Sequence, residues 1–291
     1  MPGGGCRLGV YEDGTVQALS SPDSSPVESF DALVELAGGR AGLTDVARQL
    51  RRHGPAFSYH DLDRAPSSEA LHLLLPVQPR EVWAAGVTYE RSREARLAET
   101  TTVGIYDKIY DAERPELFFK ATASRCVGPN VPIGIRSDSR WTVPEPELAV
   151  VLNEEGEVLG YTLGNDMSAR DIEGENPLYL PQTKIYRACC SIGPTILLSD
   201  EPVERSLSLW CRIERGGHEV FRGEVGTSRI RRPIAELVAY HRRANDIPPM
   251  TVLLTGTGIV PPDEFACEEG DVIEIGVDEI GVLRNPAIRV S

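Results

Sequence analysis

Long apolar runs are missing from this sequence. Nothing in it approaches the roughly 18 consecutive apolar residues that a membrane-crossing helix needs. The opening stretch, MPGGGCRLGVYEDG, has no basic segment followed by an apolar one, so no secretory leader is expected. The six cysteines (Cys6, Cys126, Cys189, Cys190, Cys211 and Cys267) form no CxxC pair and no ligand-like spacing. They read as reduced thiols packed as small core residues in a cytoplasmic protein, and this includes Cys189-Cys190, which have apolar neighbours. Basic residues are in deficit, with 30 Lys and Arg against 44 Asp and Glu and a net charge of -14, and no Lys/Arg cluster is mixed with aromatics. Nucleic acid and anionic membrane surfaces repel such a chain, so neither is an expected partner. Internal repeats and low-complexity segments are also absent.

What is present suits a folded chain with a full core: 291 residues, 41% hydrophobic and 25% charged. Residues 6–20 read as a hairpin turning at Asp13-Gly14. A helix is expected after Ser25, with Pro26 in its first turn, ending at Gly38-Gly39. A second follows with Thr44 as N-cap and its end near Gly54. PVQPREVW (76–83) breaks the pattern, which divides the chain into a small N-terminal α+β domain at 1–75 and a larger one at 76–291.

In the larger domain, the polar Glu/Arg-rich stretch inside AAGVTYERSREARLAETT reads as a solvent-facing helix. From Leu117 onward short strands alternate with turns at 153–157, 215–218 and 278–281. One helix interrupts them, PIAELVAYHRRAN, with Pro233 at its start and Ile234, Leu237, Val238 and His241 on one face. The expected class is therefore α+β and β-rich, mainly antiparallel.

The chemically suggestive stretch is WTVPEPELAVVL, where Glu145 and Glu147 lead into an apolar strand. Residues at i and i+2 on a strand point to one face, about 6.6 Å apart. The following strand, VLGYTLGND, ends at Asp166 after a turn at Asn153 to Glu157, and antiparallel pairing carries Asp166 back to the level of the two glutamates. Three carboxylates so placed can hold a hard divalent cation. Spacing alone equally allows solvated strand ends, as expected for Glu154, Glu155 and Glu157 in the turn.

Four ordered motifs carry a resemblance: PELFFKATASRCVG, RSDSRWTVPEPELAVVL, GYTLGNDMSARDIEGENPLYLPQTKIY and LLTGTGIV. Together they resemble the fumarylacetoacetate hydrolase superfamily, and within it the 2-keto-3-deoxy-arabinonate dehydratase branch, from about residue 80 to the C-terminus. The resemblance implies a mixed β roll and a homodimer or higher homo-oligomer. It implies that Glu145, Glu147 and Asp166 bind Mg²⁺ (Ca²⁺ or Mn²⁺ being alternatives) and that Lys184 stands beside the ion.

The expected substrate is a small 2-keto acid, and the expected activity is dehydration of a 2-keto-3-deoxy sugar acid, a pentonate, through a metal-stabilised enolate. The product would be a dioxo acid such as 2,5-dioxopentanoate. Glu116 and Lys184 are the expected acid/base groups; Lys120, Gln182, Thr255, Gly256, Thr257 and Arg91, with Arg93, are the expected substrate contacts. The rival activity, C–C hydrolysis of an acylpyruvate (or a related decarboxylation or isomerisation), uses the same centre. Hydrolases of this family activate water with a histidine soon after a motif like GVTYERSR. Here none of His53, His60, His72, His218 and His241 lies between Gly86 and Asp166, which favours dehydration. A non-catalytic scaffold with the same fold is the remaining alternative.

Overall fold

Asp13 and Gly14 both take positive φ, 47° and 80°, as a tight hairpin turn requires. They join strand Gly9–Glu12 to its antiparallel partner Thr15–Ala18, and Ala56–Ser58 completes a three-stranded sheet. The structure, a computed structural model, describes residues 5–51, 54–90, 112–202 and 207–291. Helix Phe30–Ala37 starts four residues later than Ser25, because Pro26 bridges to Ser20 and Ser29 supplies the cap, its hydroxyl accepting from the Ala32 amide at 3.1 Å. Gly38, at φ 69°, ends the helix where expected. In helix Leu43–Leu50 the capping position falls to Gly42, and the Thr44 hydroxyl instead donates to Asp200 at 3.0 Å.

Two larger sheets follow. The seven-stranded one runs, in spatial order, Glu116–Ala121, Val82–Gly86, Thr251–Leu254, Pro146–Leu152, Val158–Asp166, Cys190–Leu197, Cys126–Val127. Two of its pairings are parallel, Thr251–Leu254 with Val82–Gly86 and Cys190–Leu197 with Cys126–Val127. The five-stranded sheet runs His218–Gly226, Ser208–Arg215, Val272–Val277, Gly281–Val290, Ile133–Arg136. The turns expected at 153–157, 215–218 and 278–281 each join antiparallel neighbours.

The run LAVVL is continuously apolar because its strand is buried on both faces. Leu148, Val150 and Leu152 share one hydrophobic core with Leu209, Ile213, Ile273 and Ile275 of the five-stranded sheet. Ala149 and Val151 share the other with Phe30, Leu33, Leu43 and Leu50 of the first two helices. Each such leucine or isoleucine contributes about 1.5–3 kcal/mol through burial.

Helix Ile234–Arg242 forms as expected after Pro233, burying Leu237, Val238 and His241. Two short helices, Arg170–Glu175 and Leu180–Lys184, were not expected. At five or six residues, with Gly174 in one and Pro181 in the other, neither is long enough to show a helical period. The stretch expected to be a polar helix begins as the end of strand Val82–Gly86; its Arg91 and Arg93 lie outside the described residues.

Candidate active site

Every strand contributing to the site does so at the same end of the seven-stranded sheet. Gly86 closes its strand opposite Glu116, which opens the neighbouring one. Leu254 pairs with Ala149, so the loop after it reaches the level of Glu147. Glu147 pairs with Gly164, and one step on the Asp166 amide donates to the Glu145 carbonyl at 3.0 Å. The return predicted from the Asn153–Glu157 turn is thus the observed one, with Glu154, Glu155 and Glu157 exposed.

Glu145, Glu147 and Asp166 offer carboxylate oxygens that all lie within 4.8 Å of one another. All three side chains are buried, with residue exposures of 5%, 1% and 1%. Two oxygens on one hard cation sit at most about twice the roughly 2.0–2.6 Å bond length apart, so one ion can span the set. Electrostatics agree. Burial, then the neighbouring Asp166 and Glu145, push the Glu147 carboxyl well above the usual carboxylate range, against the opposing pull of Lys184 and the Gly256 amide. A multivalent cation beside Glu147 would oppose that push.

Three basic groups flank the acids. Lys184 donates to Glu145 and Asp166, each at 2.7 Å, and to the Ser168 hydroxyl at 2.5 Å; its ammonium lies 5.3 Å from the centre of the Phe118 ring. Arg170 donates to the other oxygen of Glu145 at 2.8 Å. Lys120, wholly buried, meets Asp166 at 2.6 Å and donates to the carbonyls of Met167 and Lys184 at 2.9 and 2.6 Å. Burial alone would lower the Lys120 pKa, but the Asp166 carboxylate outweighs it and the group is raised.

Around the acids a pocket is lined by Ala85, Gly86, Val87, Glu116, Phe118, Glu173, Leu180, Lys184 and Thr257 besides the triad itself. Its walls carry Glu116 and Glu173 in addition to the three clustered acids. Among the described residues Lys184, Arg170 and, behind Asp166, Lys120 are the basic groups bonded to the triad. Val87 holds φ 52°, a conformation β-branched residues rarely adopt, at the point where the chain leaves the sheet.

The expected contacts divide between pocket and frame. Thr257 lines the pocket, and Gly256 turns its amide onto Glu147 from a backbone at φ 95°. Thr255 is a frame residue, its hydroxyl donating to the Leu148 carbonyl at 2.8 Å. Lys120 reaches Asp166 and two backbone carbonyls, and Gln182 is exposed with its carbonyl accepting from Arg136 at 2.8 Å. Glu116 and Phe118 face the pocket, whereas Phe119 points the other way and packs edge-on to Trp83 at 5.8 Å. Among the described residues no histidine lines the pocket, and His241 meets Trp83 edge-on, 4.8 Å between ring centres.

Ser168, Arg170 and Glu173 were missed by sequence reasoning. The signal was present in SARDIEGE, which places two charged residues three apart directly after the strand that delivers Asp166.

Comparison with known proteins adds independent observations. The family model described as "Fumarylacetoacetate (FAA) hydrolase C-terminal" matches residues 81–288. The 2-dehydro-3-deoxy-D-arabinonate dehydratase of Saccharolobus solfataricus is 47% identical over 282 residues, covering 95% of this chain and 90% of that protein. A Haloferax volcanii protein named "Probable 2-keto-3-deoxyxylonate dehydratase" is 43% identical over 288 residues, covering 98% and 96%. A solved structure of 2-keto-3-deoxy-D-arabinonate dehydratase complexed with magnesium and 2,5-dioxopentanoate superimposes with a TM-score of 0.69 at 48% identity. That match covers 74% of this chain and 75% of the other.

Proposed function

Because the chain belongs to the fumarylacetoacetate hydrolase family, we propose that it is a hydro-lyase that dehydrates a 2-keto-3-deoxypentonate to 2,5-dioxopentanoate. The observation that carries this reading is the buried convergence of Glu145, Glu147 and Asp166 in a pocket that no histidine lines among the described residues. Near full-length identity to dehydratases of this substrate class supports it.

The three carboxylates would hold Mg²⁺, with Ca²⁺ or Mn²⁺ as alternatives that the same hard oxygen donors accept. A divalent ion there supplies Lewis-acid polarisation of an α-keto carboxylate. Arg170 and Lys184 each take one oxygen of Glu145, and Lys120 and Lys184 each take one of Asp166, which restrains both carboxylates and supports a preset ligand set. Glu116, in the pocket wall beside Phe118, takes the proton from C3. Gly86 opposite it has no side chain, and a Cβ there would strike the Glu116 carboxylate. Lys184 presents its ammonium at the same wall and accompanies the charge that develops. Thr257 and the Gly256 loop border the substrate's carboxylate end.

The reading extends to a reducing, cytoplasmic setting, supported by six free thiols of which five are buried. It also extends to self-association as at least a homodimer, supported by the resemblance to the family. No helix among the described residues is long and apolar enough to cross a membrane.

The test follows 2-keto-3-deoxy-D-arabinonate by proton NMR with purified protein and Mg²⁺. Appearance of the aldehyde signal of 2,5-dioxopentanoate supports the reading. Turnover of acylpyruvates with the sugar acid left intact removes it in favour of the hydrolase.

A further inference from the structure

A β-elimination needs two proton sites, one to receive the C3 proton and one to protonate the departing C4 hydroxyl. Several groups of the described pocket hold one another in place. Lys184 already donates to Glu145, Asp166 and Ser168. Lys120 is turned to Asp166 and two carbonyls behind the triad. The Thr257 hydroxyl is engaged with Ile259, and Arg170, on Glu145, is permanently charged. Two carboxyl groups outside the triad, Glu116 and Glu173, line the described pocket.

They come from different elements. Glu116 opens a strand of the sheet, whereas Glu173 sits on helix Arg170–Glu175, one turn beyond Arg170 and on the same face. The Arg170–Glu145 bond ties that helix to the acid triad, which fixes the approach of Glu173, a residue only 6% exposed. The pocket thus has two separately mounted carboxyls for the two ends of one elimination.

On the dehydratase reading above, we propose that Glu173 is the general acid that delivers a proton to the leaving C4 hydroxyl, with Glu116 serving C3. The C3–H bond breaks towards Glu116, the C3–C4 double bond forms, and the C4–O bond breaks as Glu173 hands over its proton, releasing water. Glu173 is then a carboxylate beside C5. It takes a C5 proton while Glu116 returns one to C3, which converts the enone to the enol of the aldehyde and restores both groups. No oxidant or reductant enters, and the net change is loss of one water.

The experiment compares wild type, Glu173→Gln, Glu173→Asp and Glu116→Gln with Mg²⁺ in two assays. One is dehydration of 2-keto-3-deoxy-D-arabinonate. The other is deuterium exchange at C3 of 2-oxobutanoate in D₂O, which has no C4 hydroxyl to lose. Glu173→Gln is expected to keep C3 exchange near the wild-type rate and to lose dehydration by about 10²–10⁴-fold, with partial recovery in Glu173→Asp. Glu116→Gln is expected to lose both. A 4-fluoro analogue, whose leaving group needs less protonation, should shrink the Glu173→Gln deficit. Dehydration within tenfold of wild type in Glu173→Gln, or loss of C3 exchange in that variant, overturns the assignment. A wild-type enzyme that exchanges C3 protons but never eliminates water removes the dehydratase reading itself, and this proposal with it.

Discussion

The Lys120 ammonium and the Asp166 carboxylate meet at 2.6 Å with 0% and 1% of their side chains exposed. The same ammonium holds the backbone carbonyl of Lys184, so one buried cation fixes both an acid of the triad and the residue whose side chain also bonds it. Its role is to position these groups.

Lys120→Met should therefore be expensive. Removing one partner of a buried pair leaves an uncompensated charge and costs about 3–5 kcal/mol. Urea denaturation followed by circular dichroism measures it, and a loss below about 1 kcal/mol would mean that Lys184, which also bonds Asp166, compensates that carboxylate by itself.

Gly256 offers a second lever. Its φ of 95° favours glycine, and a Cβ there would overlap the Thr88 hydroxyl and crowd the Ala85 carbonyl. Gly256→Ala should lose at least about 1–2 kcal/mol in stability and weaken Mg²⁺ binding, because the Gly256 amide is the backbone group that bonds Glu147. A thermal melt with and without Mg²⁺ reports both effects; a variant indistinguishable from wild type in both would contradict the placement of this loop.

His241 sets an acid limit on stability. Burial pulls its pKa below the usual 6.5, with the Glu81 carboxylate pulling the other way, and neither ring nitrogen has a hydrogen-bond partner among the described residues. The folded state then binds fewer protons than the unfolded chain in the window just below 6.5. Stability contributed by the neutral ring is present above that value and is lost as pH falls through the window. His241→Phe, which keeps an aromatic ring on Trp83, should decline less than wild type between pH 7 and the low end of that window. Parallel denaturation curves at each pH decide it, and identical slopes would remove His241 as the cause.

The sequence showed much of this site because short-range geometry governs it. A five-residue turn between two apolar strands fixes the register, and register alone places Asp166 level with Glu145. Two-residue spacing does the rest for Glu147. Lys184 was legible only through resemblance, since its helix is five residues long and contains a proline. Arg170 and Glu173 were obscured for the same reason, on a helix of six residues interrupted by Gly174. Lys120 was named from its place near the pocket motifs, but its partners, 46 and more residues away in sequence, appear only when the sheet closes. Helix starts at Phe30 and Leu43 were misplaced by a few residues, because a strand-like bridge at Pro26 and a capping glycine displaced the nearby serine and threonine.

The central claim is that Glu145, Glu147 and Asp166 together trap one divalent ion. Calorimetric titration of the EDTA-stripped protein with Mn²⁺ tests it most directly, read against the Glu147→Gln variant, which keeps the carboxamide's shape and removes one anionic ligand. The account predicts one ion per chain for wild type and no measurable binding for the variant, with the variant still folded by circular dichroism. Equal binding by both proteins, or none by wild type, would contradict it.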